Sequence, residues 1–182
     1  MNRNTLSLLF FLCLLGLAQT PALAAFEDSV EVDGKTLLKT GQGNFRWMFI
    51  KVYEGALYMD AEKPGADPLE DVAKQLVLEY RVEITAEEFR KSGSEFLRRN
   101  VDEKTLDSIQ DRLERLHAAY VDVGKGDRYT LSYLPEKGTT LSLNGEPLVT
   151  VEGPDFAQAY YTIWLGENPV KDSFRDALLE GR

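Results

Sequence analysis

Ionisable side chains interrupt one long apolar stretch, FRWMFIKVYEGALYM, at residues 45–59. The stretch contains Arg46, Lys51, Tyr53 and Glu54. Arg46 and Tyr53 are separated by an odd number of positions, which in a regular strand places two side chains on opposite faces. Both can reach one face only if a β-bulge lies between them, or if Arg46 precedes the regular strand. Otherwise Arg46 is a surface arginine, Tyr53 is a core tyrosine, and Lys51 extends to an edge.

Other patterns give weaker grounds for a chemical site. His117 is the only histidine, and it has no second histidine or cysteine to complete a metal site, so we expect a partly exposed helix residue. No Ser-His-Asp arrangement has specific support, and GQGNFR lacks the lysine of a phosphate loop. We expect Trp47, Tyr160, Tyr161 and Trp164 to serve packing. The sequence therefore predicts neither a metal nor an organic cofactor.

The N-terminus predicts export. Arg3 gives a short positive region, an apolar segment covers 6–17, and Ala22-Leu23-Ala24 forms a small-x-small cleavage site. The apolar segment is too short to span a bilayer as a helix, which needs ~20 residues. We therefore predict a signal peptide over 1–24 and a single domain over 25–182. The protein would be periplasmic or secreted, without stable membrane insertion.

Charge and cysteine content narrow the function classes. Cleavage would remove Cys13, the only cysteine, so the fold of the remaining chain would rest on core packing alone. The formal net charge of the full chain is −9, and loss of Arg3 makes it one unit more negative. That charge disfavours binding to nucleic acid and to anionic membrane surfaces.

The order of predicted elements is strands, helices, strands and helices. Asp33-Gly34 and Asn144-Gly145 favour two-residue hairpin turns. The stretch 45–59 is predicted as the longest strand, and the alternation over 75–84 predicts a half-buried strand.

Helical patterns follow these strands. Thr85 and Glu88 form a capping box, and further apolar stripes predict helices over about 102–120, over 153–164 and after Pro169. The pattern predicts an α+β fold in which an antiparallel sheet is covered on one face by helices.

Three segments resemble the bacterial chalcone isomerase-like proteins. They are GQGNFRWMFIKVYEGALYM, GTTLSLNGEPLVTVEGPDFAQAYYTIWLGENPV and FRDALL, and the similarity covers about 32–179. The resemblance implies an open-faced β-sandwich, a large antiparallel sheet covered by a layer of helices. It also implies an apolar cleft between sheet and helices.

The resemblance does not extend to the catalytic residues of chalcone isomerases. Those enzymes use an arginine early in the long strand and a threonine later in it, a tyrosine, a lysine and an asparagine on the first helix, and a polar-apolar pair on the late helix. The matching positions after the arginine carry Tyr53, Phe89, Ser92, Phe96, Ile163 and Trp164. Ring closure needs donors that stabilise an enolate, and phenylalanine has none, so we do not expect this activity.

A tyrosine in place of the threonine, together with Arg46, resembles the noncatalytic, fatty-acid-binding members of the fold. That resemblance implies that Arg46 and Tyr53 hold a carboxylate, which a guanidinium can bind in bidentate fashion. The apolar cleft would be lined by Phe89, Phe96, Ile163 and Trp164. The hypothesis is an exported, noncatalytic binding protein for a fatty acid or a similar amphipathic carboxylate. The alternatives are an isomerase or lyase for an unknown apolar substrate, and an envelope accessory protein with a protein partner.

Overall fold

The computed structural model describes residues 26–181, so the predicted signal peptide over 1–24 and its cleavage site lie outside the described residues. Seven strands form one antiparallel sheet, in which neighbours along the chain are also neighbours in the sheet. They are β1 Ser29–Val32, β2 Lys35–Trp47, β3 Ile50–Asp60, β4 Lys74–Tyr80, β5 Arg128–Leu134, β6 Gly138–Leu143 and β7 Glu146–Val151. Over the same range, no helix has the length and apolarity needed to cross a membrane.

The two predicted hairpin turns are confirmed. Asp33 and Gly34 join β1 to β2 with φ angles of 49° and 79°, and Asn144 and Gly145 join β6 to β7 with φ angles of 52° and 90°. Positive φ at both turn residues matches the right-handed twist of the flanking strands, and Gly, Asn and Asp adopt it at little cost.

The prediction of one strand over 45–59 is wrong. The chain reverses at Met48 and Phe49, so that Trp47 of β2 pairs with Ile50 of β3. Neither turn residue belongs to the Gly, Pro, Asn, Asp or Ser types that signal turns. An apolar sequence therefore hides a hairpin, and the two halves of the stretch belong to different strands.

The strand predicted over 75–84 ends at Tyr80 and is buried on both faces, so the prediction of a half-buried strand is wrong. Leu76 and Leu78 belong to the main core under the helices, whereas Val77 belongs to a second apolar cluster. This second cluster consists of Leu37, Ala56, Tyr58, Ala73, Val77 and Leu134, against which Phe26, Val30 and Val32 pack.

Four helices accompany the sheet, and they are α1 Ala86–Arg98, α2 Glu103–Ala118, α3 Pro154–Leu165 and α4 Asp172–Leu179. The predicted capping box is confirmed, because the Thr85 side chain accepts from the Glu88 amide and the Glu88 carboxylate accepts from the Thr85 amide. The main core joins residues of the helices to one face of the sheet. This arrangement confirms the α+β, open-faced β-sandwich architecture.

Glycines allow α4 to approach the sheet closely. A β-carbon at Gly41 would overlap the carbonyl oxygen of Ala177, and one at Gly55 would lie 2.9 Å from the Phe174 ring. The Thr40 hydroxyl donates to the carbonyl of Leu178 at 3.0 Å. The glycines thus leave room for α4 to lie directly on the sheet, and the Phe174 ring of α4 reaches into the core.

Candidate functional site

Arg46 and Tyr53 occupy different environments. Arg46 lies opposite Lys51 at the exposed end of β2, and its guanidinium donates to the carbonyl of Phe49 at 2.9 Å. Tyr53 lies opposite Phe45 and is only 6% exposed. A bulge does lie between the two pairs, as the sequence argument required, but the structure does not bring the guanidinium to the phenol.

The bulge also separates the Lys51 pair from the Tyr53 pair. Lys51 forms an ion pair with Glu54, whose carboxylate binds Arg81 as well. These partners keep the pKa of Glu54 below its usual value. Lys51 is therefore part of a partly exposed ionic network rather than of the surroundings of Tyr53.

Tyr53 and Trp164 are the predicted site residues that the structure does bring together. Burial raises the pKa of the Tyr53 hydroxyl, and the neighbouring Trp164 side chain opposes that shift. The Tyr53 ring centroid lies 5.0 Å from that of Phe45 and 5.4 Å from that of Phe174. A phenol and an indole therefore place two hydrogen-bonding groups among aromatic rings.

The remaining predicted residues pack in or against the same core. Phe89 stacks on Tyr120 with ring centroids 5.1 Å apart, and Ile163 is 4% exposed. Phe96 packs against the core while the Arg99 guanidinium covers its ring at 4.5 Å. Of the six predicted residues, only Arg46 lies outside this core.

Sequence reasoning missed that tyrosine is the commonest aromatic residue type between sheet and helices, where the protein's own side chains fill the expected cleft. We call the connected rings between sheet and helices the aromatic layer, and its members are Phe45, Tyr53, Tyr80, Phe89, Tyr120, Tyr129, Phe156, Tyr160, Trp164 and Phe174. The hydroxyls of Tyr120 and Tyr160 are 2.7 Å apart. The signal was present, because Tyr80, Tyr120 and Tyr160 all lie on predicted apolar faces.

A comparison with models of protein families identifies the family of this chain. The model described as chalcone isomerase-like matches residues 18–180. The chain belongs to the chalcone isomerase-like family. A search of curated proteins found no match.

Among solved structures, the chain is similar to a fatty-acid binding protein from Arabidopsis thaliana. The TM-score is 0.63 and the identity is 14%, over 85% of this chain and 91% of the other. At that identity the likeness establishes a shared fold, and it agrees with the family assignment.

His117 differs from its predicted environment. It is 9% exposed rather than partly exposed, and its Nε2 has no hydrogen-bond partner among the described residues. A β-carbon at Gly93 would lie 3.6 Å from that nitrogen, so α1 packs directly over the ring. Burial, together with the nearby Arg90, lowers the pKa of His117 to about 4, against a weaker opposing effect of Glu114. The imidazole is therefore neutral at physiological pH.

A buried cation was also missed. Lys74 is fully buried at the start of β4, where its ammonium donates to the Glu70 carbonyl at 2.7 Å. The ammonium lies 4.8 Å from the Tyr133 ring centroid and 5.3 Å from that of Tyr161. Burial lowers the pKa of Lys74 to about 8. Lys74 and Tyr53 lie near opposite ends of the paired strands β3 and β4, because Tyr53 pairs with Tyr80 and Lys74 pairs with Met59.

The chemistry available in the aromatic layer is hydrogen bonding rather than proton abstraction. Burial raises the pKa of Tyr80, Tyr120 and Tyr160, so these phenols stay protonated at neutral pH. The side chains of the layer are packed against one another, and most members are less than one-tenth exposed. A ligand entering the layer must therefore displace side chains of the protein.

Proposed function

We propose that this chain is an exported, noncatalytic binding protein for a fatty acid or another amphipathic carboxylate, held in the aromatic layer. The observation that carries the proposal is the pair formed by Tyr53 and Trp164, which places two hydrogen-bond donors next to each other within the aromatic layer. The fold shared with a protein described as fatty-acid binding supports the same ligand class.

The head group of the ligand would bind between Tyr53 and Trp164. The indole nitrogen is only a donor, and the buried phenol stays protonated, so both can donate to a carboxyl oxygen. A buried interior favours the neutral, protonated form of the acid. Arg46 has no part in this grip, because it lies at the exposed end of β2.

The acyl chain would take the place of the Phe174 ring. This ring lies edge-on to Tyr53 and belongs to α4, a short helix whose N-terminus has no side-chain hydrogen bond. An acyl chain gains ~0.8 kcal/mol per buried methylene, so a ligand with many methylenes can offset the loss of one ring from the core. The exchange requires movement of α4 away from the glycines of β2 and β3 on which it packs.

Other residues that line the proposed site argue against a chemical reaction on the ligand. At the positions where catalytic relatives carry donors, this chain has Phe89 and Phe96 on α1 and Ile163 on α3. Side chains without donors cannot stabilise an oxyanion that develops in a transition state. A binding function fits this lining better than an isomerase or a lyase does.

Extraction of the purified protein tests the ligand class. Protein prepared without detergent should release fatty acids or related carboxylates that mass spectrometry identifies in near-stoichiometric amount. The same protein after delipidation should rebind a fluorescent fatty acid. If delipidated protein fails to bind any acyl carboxylate, the proposal is wrong.

Substitutions test the position of the head group. Tyr53→Phe and Trp164→Phe should each weaken binding by about five- to tenfold, the effect of one lost hydrogen bond. Tyr58→Phe is the matched control, because Tyr58 lies on the same strand but belongs to the second apolar cluster. Arg46→Gln should leave affinity unchanged. A loss of affinity in Lys74→Met alone would move the head group to the other end of β4 and refute the assignment to Tyr53.

Export has its own test. Fractionation of expressing cells should find the protein outside the cytoplasm, and N-terminal sequencing should give a chain beginning near Ala25. A chain that keeps Met1 and remains in the cytoplasm would contradict this part of the proposal.

A further inference from the structure

The turn between β2 and β3 exposes four consecutive large apolar residues. Trp47, Met48, Phe49 and Ile50 are 65%, 77%, 87% and 58% exposed, and we call them the hairpin tip. The other exposed large apolar residues of the described chain occur singly, at Leu38, Val121 and Leu148. Single exposed apolar residues are ordinary on soluble proteins, whereas a contiguous apolar patch marks an interaction site.

The backbone of the hairpin tip is unfavourable for its sequence. Met48 has a φ of 53°, in the left-handed region that suits glycine and asparagine. The other non-glycine residues with positive φ among the described residues are Asp33, Glu136 and Asn144, and all three are polar. Met48 therefore combines a strained conformation with an exposed apolar side chain.

The tip is held in place by the residues directly behind it. Arg46 and Lys51 pair across the two strands, and the Arg46 guanidinium donates to the carbonyl of Phe49 at 2.9 Å. Two positive side chains thus flank an apolar end. Glu54 forms an ion pair with Lys51, whereas the Arg46 side chain donates its hydrogen bond to the backbone carbonyl of Phe49.

We propose that the hairpin tip inserts shallowly into the surface of a phospholipid membrane that contains anionic lipids. Tryptophan is favoured at membrane interfaces, and apolar side chains of surface-binding elements reach ~5–10 Å into the boundary between head groups and acyl chains. One residue of strand rises ~3.3 Å, so insertion of the tip would bring Arg46 and Lys51 to the level of the lipid phosphates.

Charge favours a membrane over a second copy of this chain. The protein is strongly acidic overall, so two copies repel each other, and two apposed tips would also bring two cationic pairs together. The negative net charge also repels an anionic membrane, so the proposal requires that Arg46 and Lys51 face the lipid, which fixes the orientation of the protein. The proposal goes beyond ligand binding, because contact with a vesicle requires no ligand in the aromatic layer.

A vesicle flotation experiment tests the inference. The purified protein should float with phosphatidylcholine vesicles that contain phosphatidylglycerol, and more weakly with phosphatidylcholine alone. Phe49→Asp should reduce binding by about tenfold or more, because it places a charge in the acyl boundary. Leu148→Asp, at an isolated exposed residue of β7, should bind as the unmodified protein does. Circular dichroism should show that both variants are folded.

Two further readouts identify what contacts the tip. In a Trp164→Phe background, Trp47 is the only tryptophan left, and its emission should shift to shorter wavelength on addition of vesicles. Arg46→Gln with Lys51→Gln should abolish the preference for anionic lipid. Equal flotation of Phe49→Asp and the unmodified protein would overturn the proposal. Failure to float, together with a dimer in sedimentation that Phe49→Asp dissociates, would assign the tip to a second copy.

Discussion

The aromatic layer and the hairpin tip are built from the same short stretch of sequence, yet they have opposite environments. Phe45 and Tyr53 pair across β2 and β3 and enter the core, whereas Trp47 to Ile50 project into solvent a few residues away. Composition does not separate them, because both are rich in aromatic residues. The difference lies in what the fold places opposite each segment. Helices cover Phe45 and Tyr53, and nothing in the described chain covers the tip.

This contrast separates two uses of aromatic side chains. In the layer, edge-on and stacked rings contribute to stability and enclose hydrogen-bonding groups. At the tip, the rings are mostly exposed in the free protein, so we expect them to affect binding to a membrane rather than stability. Substitutions in the layer should therefore change stability, whereas substitutions at the tip should change binding to vesicles.

The largest expected effect is on the free energy of unfolding, when a buried phenylalanine of the layer is truncated and compared with an exposed one at the tip. Phe174 is fully buried and contacts Tyr53, so Phe174→Ala should lower the free energy of unfolding by about 3–5 kcal/mol. Phe49→Ala should change it by less than about 0.5 kcal/mol, because the ring is exposed. Urea unfolding followed by circular dichroism measures both. A similar loss in the two variants would show that the tip packs against the protein.

The α+β fold was predictable because its signals are local. Asp33-Gly34, Asn144-Gly145 and the Thr85 capping box each act within a few residues, and the apolar stripes of the helices give their buried faces. The turn at Met48 was not predictable in this way. Its residues carry no turn signal, and only the pairing of β2 with β3 imposes the reversal.

The candidate site was predictable only in part. The positions of Tyr53, Phe89 and Trp164 followed from the family resemblance, and the structure places all three in one layer. The separation of Arg46 from Tyr53 depended on the hidden turn. The burial of Lys74 and His117 depended on which helices pack above them, and a single sequence does not encode such contacts in any local pattern.

Acid should destabilise the folded protein through His117, which lies beside Tyr120 of the layer. Its pKa is lowered from its usual value of 6.5 to about 4 in the folded state. The folded protein therefore binds this proton less readily, and the stabilising contribution is complete above pH 6.5 and lost as the pH falls through 4. The full difference is ~3 kcal/mol.

The matched variant for this pH dependence is His117→Leu, which has no group that titrates at this position. Between pH 6.5 and 4, the unmodified protein should lose ~3 kcal/mol more of its free energy of unfolding than His117→Leu does. Both proteins share the titration of their carboxylates, so the difference isolates the imidazole. Parallel curves for the two proteins would mean that His117 is solvated in solution.

The smallest expected effect is a gain in the free energy of unfolding, from a substitution at the tip. Met48→Asn places at a φ of 53° a residue that tolerates left-handed geometry, so the free energy of unfolding should rise by ~0.5 kcal/mol. The urea midpoint should increase with an unchanged slope, whereas Asp33→Asn, at a φ of 49°, should change little. Vesicle binding of Met48→Asn should fall, because one apolar side chain is lost. A variant that gains stability and loses membrane affinity would show that the tip is shaped for binding at the expense of folding; a loss of stability would show instead that the Met48 side chain supports the hairpin.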